Sequence, residues 1–420
     1  MSSSNSWRWR SPRRHRGRIL LFLVACILIS LYKLQDSAPS SIINIGTPAI
    51  GSGSQPLNQT ALDIAPAYVS AIMEPRLSNL FSMLECPEPD KDRYTYLYTS
   101  SEHKFFFALN LRNSISILPR LLSSIIEAVE FLGPHKCVLS IVEGHSHDGT
   151  YEILHALRKS LSHLGLEYHL VRSSIDSHTG DRIAQLAALR NLALTPLLER
   201  PGTLDSTTVL FLNDIAFCAE DILELTHQLI YQHASMTCGM DWTFVGPTPT
   251  FYDVWIARDM RGETFFHIPL DGSWEYANEL FPANARARED LESGTPFQVF
   301  SCWNGGVAIR GDVLRRVRFR GPSPGECVQG EPTLFAKDLW AAGLGRIAVV
   351  PSVNVEYSDY WARKVKGSKG FVSRWLMVDE GERIVWDDQP PEKVRCCPGY
   401  ENQVMLPWND GLGENGALLG

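Results

Sequence analysis

Hydrophobic and polar positions along the chain switch repeatedly between two periods. Residues 104–110 contain the unbroken apolar run Phe105-Phe106-Phe107-Ala108-Leu109, which predicts a strand buried on both faces. Apolar residues then recur at Ile115, Leu118, Leu121, Leu122, Ile125, Ile126 and Val129, the spacing of a helix, and Gly133-Pro134 ends it. The same alternation predicts strands over 137–142, 168–171 and 207–212, and helices over 151–164, 182–198 and 219–233. Strands without an in–out pattern, separated by amphipathic helices, predict an α/β fold: a mostly parallel sheet with helices on both faces. Ligands of such sheets bind beyond the carboxyl ends of the strands, so polar residues just after each strand are the first candidates for chemistry.

The pattern ahead of this alternation is different. Residues 1–18 hold six arginines and no acid, and an apolar run follows from Ile19 to Tyr32. That run is shorter than the ~20 residues of a typical span. Arg18 and Lys33 flank it and can snorkel, and thin early-secretory membranes accept short spans. Because Ser37-Ala38 runs into Pro39, no clean small-x-small cleavage site follows, and a signal-anchor is favoured over a removed signal peptide. The arginines place the N-terminus in the cytosol and the body in the lumen. The expected organisation is a cytosolic tail (1–18), a transmembrane anchor (19–34) and a stem rich in Ser, Pro, Gly and Ala (35–85). A catalytic body (86–375) and a C-terminal extension (376–420) follow. Within the stem, a short helix is expected from about Ala67 to Leu84, and Asn58-Gln59-Thr60 is a glycosylation sequon.

Charge sharpens this picture. The whole chain carries −8, so without the six tail arginines the remainder carries −14. An acidic body excludes non-specific nucleic-acid binding as a function. One of the nine cysteines lies in the apolar run, and the other eight permit up to four disulfides in an oxidising lumen. Cys137, Cys218 and Cys238, in or beside apolar strands, read equally as buried thiols.

Three strand ends carry the candidate chemistry. The first strand is followed by Asn110-Leu111-Arg112-Asn113, the second by Glu143-Gly144-His145-Ser146-His147-Asp148-Gly149-Thr150, and the fourth by Asn213-Asp214. The Glu143–Thr150 segment is similar to the acidic–Gly–Ser–x–Asp-Gly-Thr turn of nucleotide-sugar-dependent transferases of the GT-A type. In that likeness Glu143 lies beside the nucleotide base, and Asp148 caps the next helix. The His-x-His pair lacks the spacing of a binuclear metallohydrolase, and no G-x-S-x-G elbow exists. At the fourth strand end a diphosphate leaving group calls for Mn²⁺ or Mg²⁺, and hard cations take carboxylate ligands. Asp214 is the candidate ligand. Position 213 is Asn rather than a second acid, and Glu220 and Asp221 read as helix-capping or solvated groups. Arg190 reads either as a diphosphate ligand or as a surface ion pair. Tyr252, Asp253, Trp255, Arg258 and Asp259 mix aromatics with charge, as sugar-binding surfaces do. Trp303-Asn304-Gly305-Gly306 reads either as a turn that a ligand can approach closely or as a plain strand-to-turn junction. Glu331 and Asp338 are candidate acceptor-side carboxylates, Asp338 equally a structural residue.

Seven stretches, taken in order, resemble the fungal capsule-associated α-1,3-mannosyltransferases of the cryptococcal type, glycosyltransferase family 69. They are FFFALNLRNS from Phe105, the Glu143–Thr150 turn, ALRNLAL from Ala188, FLNDI from Phe211, FYDVWIARD from Phe251, CWNGGVAIRGDVL from Cys302 and KDLWAAGLGRIAVVPSVNVEYSD from Lys337. The resemblance covers roughly residues 90–360. It implies a GT-A-like body and a type II Golgi membrane protein with a luminal catalytic domain. It further implies a GDP-mannose donor, a mannoside or polysaccharide acceptor, a divalent cation (Mn²⁺ or Mg²⁺) and an α-linked product. It makes Asn213-Asp214 a family trait. Under it, Asn110, Arg112, Glu143, Asp148, Arg190 and Asn213 are the expected donor-binding residues and Asp214 the metal ligand, with Glu331, Asp338 and Asp253 as catalytic candidates. The family pattern also implies Glu-Cys pairs in both halves of the segment 326–331. Because Pro332 follows Glu331, a disulfide within that segment lacks one partner. Donor and product both α implies retention, which double displacement and same-face attack each satisfy. Two rival functions stand beside this one: a non-catalytic polysaccharide export or assembly factor with a transferase fold, and a transferase using a UDP-sugar. Asp214 beside an intact Glu143 turn argues against the first.

Overall fold

In the computed structural model, which describes residues 57–77, 80–176, 179–376 and 383–412, the alternation becomes a nine-stranded mixed sheet. Its strands are β1 (Lys104–Leu111), β2 (Cys137–Glu143), β3 (Glu167–Arg172), β4 (Thr207–Leu212), β5 (Met236–Phe244), β6 (Pro249–Phe251), β7 (Phe297–Gln298), β8 (Gly306–Arg310) and β9 (Ile347–Val355). They lie in the order β3-β2-β1-β4-β8-β5-β9-β7, with β6 paired to β5. β1 to β4 are parallel, β8 runs antiparallel between β4 and β5, and β5 pairs parallel with β9.

The apolar run of β1 shows why the sheet is covered twice. Phe105, Phe107 and Leu109 point into one core, shared with Leu121, Leu122 and Ile125 of the helix Leu118–Leu132. Phe106 and Ala108 point into the other, shared with Ala193 and Leu194 of the helix Arg182–Leu198. This is the two-residue side-chain period of a strand acting on an all-apolar sequence. The helices are α1 (Gln59–Met73), α2 (Lys91–Thr99), α3 (Leu118–Leu132), α4 (Thr150–Ala156), α5 (Arg158–Leu164), α6 (Arg182–Leu198), α7 (Ala219–Tyr231), α8 (Ala285–Ser293), α9 (Glu331–Ala341), α10 (Asp359–Lys369) and α11 (Val372–Trp375). Asp181 caps α6 by accepting from the Ile183 and Ala184 amides. Asp221 closes the start of α7 by accepting from the Cys218 amide, and its carboxylate also pairs with buried Lys366 at 2.6 Å.

Two expected boundaries move. Residues 57–77 and 80–85 are part of the body rather than a free stem. α1 begins at Gln59, well before the helix expected from Ala67, and buries Ala61, Ala65, Ala71 and Ile72. Its approach is so close that a Cβ on Gly149 would lie 2.7 Å from that of Ala61. Pro66 within the helix and the surrounding Pro and Gly concealed it. The C-terminal extension is likewise stitched to the body. Its hairpin of β10 (Lys393–Cys396) and β11 (Val404–Pro407) is held by the Cys327–Cys396 disulfide and by Arg258 Nε donating to the Arg395 carbonyl at 2.8 Å.

Cys327 therefore finds its partner outside the segment 326–331, and Pro332 falls in the first turn of α9, where its missing N–H costs nothing. Cys86–Cys218 and Cys238–Cys302 are the other disulfides among the described residues, while Cys137 and Cys397 are buried thiols. The expected anchor, residues 19–34, lies outside the described residues. Among the described residues no helix is long and apolar enough to cross a membrane.

Candidate active site

The carboxyl ends of β1, β2, β4, β5 and β9 meet at one edge of the sheet. Because β8 is antiparallel, with Gly306 opposite Leu212, its beginning rather than its end joins them. The turn Trp303-Asn304-Gly305 at that beginning needs two positive φ values, 52° at Asn304 and 80° at Gly305, which an Asn and a Gly supply. It locks onto β4: the Asn213 amide donates to the Gly305 carbonyl at 2.9 Å, and Trp303 Nε1 donates to Asn213 Oδ1 at 3.1 Å. Asn213 thus shapes the floor of the site through Trp303.

On the other side of the turn two carboxylates stand together, Asp241 buried and Asp253 half-buried. The Asn304 amide donates to Asp253 Oδ2 at 2.9 Å, and the Asp253 amide donates to Asp241 Oδ1 at 3.3 Å. Tyr357, just past β9, donates its hydroxyl to Asp241 Oδ2 at 2.7 Å. Burial, then the Asp253 charge, raises Asp241 well above the carboxylate range. Burial raises Asp253 too, against the Asn304 N–H and the positive charges of Arg190 and Arg258. Asp241 and Tyr357 were not singled out from the sequence. The signal was present in Asp241, a lone acid closing the apolar run Met236-Thr237-Cys238-Gly239-Met240, as Asp214 closes another.

Asp214 lies just past β4, partly buried. Burial raises its carboxyl, while hydrogen bonding, including one from the Ser114 side chain, lowers it. Tyr252 links the two acidic groups. Its hydroxyl is raised by burial and then by the charges of Asp241, Asp253 and Asp214, so all three carboxylates act on one ring.

At the end of β2, Glu143 is fully buried. Its Oε1 accepts from the Ser146 amide at 2.6 Å, while Oε2 accepts no hydrogen bond and faces Arg172 Nε at 3.6 Å. Arg172 in turn lies 4.5 Å over the Tyr151 ring. Arg112, at the end of β1, pairs with Asp176 at 3.6 Å, and its buried Nε has no hydrogen-bond partner. Both atoms are buried: an unpartnered carboxylate oxygen and an unpartnered guanidinium N–H at neighbouring strand ends call, respectively, for a donor and an acceptor.

Other candidates are committed elsewhere. Asp148 accepts from Thr150 N and Oγ1 with one oxygen and from the Ile115 amide with the other, so it fastens the turn; the N-cap of α4 is Gly149 rather than Asp148. With its side-chain amide turned so that both ends are satisfied, Asn110 binds the α6 backbone, donating to Leu189 O and accepting from Arg190 N at 3.2 Å each. Arg190 is not a surface pair: it is mostly enclosed, donates to Glu331 Oε1 at 2.7 Å and lies 4.1 Å over the Trp303 ring. Glu331 is correspondingly occupied. Asp338, two turns further along α9, receives both ends of the Arg320 fork at 2.7 and 2.8 Å and is not brought to the strand ends. Arg258 is buried and donates to the carbonyls of Val254, Ala257 and Arg395, and Asp259 accepts from the Arg261 and Glu263 amides. Neither faces a ligand.

Among the described residues no group of three His, Cys, Asp or Glu side chains can hold a cation unaided. A Mg²⁺-type ion that bridges a diphosphate keeps waters and takes only one or two protein carboxylates. Asp214 alone at the end of β4 fits a cation that arrives with the nucleotide.

A family model described as cryptococcal mannosyltransferase 1 matches residues 104–338. The alpha-1,3-mannosyltransferase CMT1 of Cryptococcus neoformans is 35% identical over 338 residues, covering 75% of this chain and 72% of its own. The chain belongs to this family. It is a mannosyltransferase, working with a nucleotide-sugar donor and a glycan acceptor. The matched region holds Glu143, Asn213-Asp214, Asp241, Asp253, the Trp303 turn and Glu331. Two solved structures are more distant. GalNAc-T7 with UDP, GalNAc and Mn²⁺ is 14% identical at a TM-score of 0.40, covering 76% of this chain and 56% of its own. The mannosyltransferase PcManGT of Pyrobaculum calidifontis with GDP-Man and Mn²⁺ is 14% identical at 0.35, covering 70% and 68%. At these scores neither establishes a fold or an activity.

Proposed function

We propose that this mannosyltransferase moves mannose from GDP-mannose to a hydroxyl of a mannoside acceptor, forming an α-1,3 linkage with retention. What carries the reading is its family membership, with a relative named as an alpha-1,3-mannosyltransferase, on a site built at the ends of β1, β2 and β4. In the reaction the acceptor oxygen bonds to C1 of mannose, the bond from C1 to the β-phosphate oxygen breaks, GDP keeps the electron pair, and the hydroxyl proton is released. Glu143 Oε2 takes an N–H of the base, and Arg112 takes an acceptor atom of the ribose or diphosphate. Asp214 holds Mn²⁺ or Mg²⁺, which when bound offsets charge on the leaving diphosphate. Asp253, fixed by Asn304 and Asp241, stands on the acceptor side. The body is GT-A-like in this reading.

The same reading makes the protein a type II Golgi membrane protein with a luminal body, anchored by residues 19–34. Six arginines before an apolar run support it, as do three disulfides among the described residues. The donor is tested by calorimetry with Mn²⁺ present. GDP is expected to bind at least about tenfold more tightly than UDP, a difference of ~1.4 kcal/mol. Equal affinities, or tighter UDP binding, would replace GDP-mannose with a UDP-sugar.

A further inference from the structure

The loop that follows β6 carries two aromatic rings into solvent. Its buried Val254 and Ile256 and the hydrogen bond from Ala257 N to Asp253 O fix the backbone. Tyr252 and Trp255 nevertheless remain 46% and 37% exposed. Neither ring is left to swing freely. Tyr252 packs against Tyr357 with ring centroids 5.0 Å apart, and Tyr357 is the residue whose hydroxyl holds Asp241. Trp255 packs against Tyr400 at 4.8 Å. Tyr400 is itself pinned: a Cβ on Gly272 would lie 2.6 Å from its ring, and Gln403 Nε2 donates to both the Tyr400 and Ile268 carbonyls. Two rigid ring pairs thus present apolar faces to water, one immediately beside Asp253 and the other three residues further along the loop.

Exposed aromatic faces that are held in place cost apolar hydration until something covers them. A pyranose has one face of C–H groups that covers a ring, and hydroxyls that stay in water or meet carboxylates. We propose that Tyr252 and Trp255 form two consecutive stacking subsites for the acceptor glycan. The proximal sugar lies on Tyr252 with its hydroxyl toward Asp253, and the next lies on Trp255 and Tyr400. This rests on the transferase reading and adds to it a minimum acceptor length: the site is built for a chain of at least two sugars. The C-terminal extension enters here as well. The Tyr400 loop follows the Cys327–Cys396 disulfide, which ties it to the body and so supplies half of the distal platform.

The test compares methyl α-mannoside, which reaches only the proximal subsite, with an α-mannotetraoside, using the full chain with GDP-mannose and Mn²⁺. Wild type is expected to prefer the tetraoside. In Trp255→Ala the ratio of kcat/KM for tetraoside over monoside is expected to fall about tenfold, through KM for the tetraoside. Trp255→Phe, which keeps a ring against Tyr400, is expected to retain most of the preference. Tyr98→Ala removes an exposed ring on α2 and is expected to change nothing. A Trp255→Ala ratio within twofold of wild type overturns the subsites and leaves the transferase reading standing. The reverse separation is read by saturation-transfer NMR. Tetraoside binding that weakens in Trp255→Ala, in a protein that transfers no mannose, keeps the subsites and rejects the transferase reading. Absence of any tetraoside binding to wild type overturns the subsites directly.

Discussion

Replacing Asp214 with Ala is expected to abolish mannose transfer and leave the fold intact. In the proposed reaction the departing diphosphate gathers negative charge at the end of β4, and Asp214 is the carboxylate that follows that strand. Stabilisation of developing charge is often the largest single catalytic contribution, and removing one such element costs on the order of 10²–10³ in kcat. Stability is expected to hold or rise, because a partly buried carboxylate carries a desolvation cost that Ala does not. Turnover and Tm of the purified variant check both halves. More than about a tenth of wild-type turnover, a barrier change under ~1.4 kcal/mol, would contradict the assignment.

Glu331→Ala is expected to fail differently, through stability. Glu331 and Arg190 form a buried pair at 2.7 Å with side chains 4% and 12% exposed. Removing one partner leaves the Arg190 guanidinium among Trp303, Phe211 and Phe319 without the carboxylate it is hydrogen-bonded to. Such losses run to about 3–5 kcal/mol. The double variant Arg190→Met with Glu331→Leu is expected to recover most of that loss, since well-packed apolar pairs replace buried ion pairs at little cost. A denaturation midpoint unchanged in Glu331→Ala, together with lost turnover, would instead return Glu331 to a direct role on the acceptor.

The contrast between these two residues shows what was legible in the sequence. Strand ends were legible because an all-apolar run followed by Asn or Asp is a local signal, and Asn213-Asp214 and the Glu143 turn were found that way. Commitments between distant residues were not. Arg190 meets Glu331 across 141 positions and Arg258 meets Arg395 across 137. No spacing rule reports such pairs, so charged residues that serve as buried clamps looked the same as ligands. The first helix of the body was hidden for another reason: Pro66 and the Pro- and Gly-rich neighbourhood suggested a linker, while small buried residues such as Ala61 and Ala65 gave little apolar contrast. Asp241 escaped because its strand was not traced, so its place at a strand end was invisible.

The central claim is mannose transfer at the edge where β1, β2 and β4 end. It is tested most directly by incubating the full chain with radiolabelled GDP-mannose, Mn²⁺ and an α-mannoside acceptor, and analysing the product by chromatography and NMR. The account predicts a labelled product one mannose longer, with an α-1,3 linkage and its appearance dependent on added cation. No labelled product from GDP-mannose, with transfer from a UDP-sugar or from no donor at all, would contradict it.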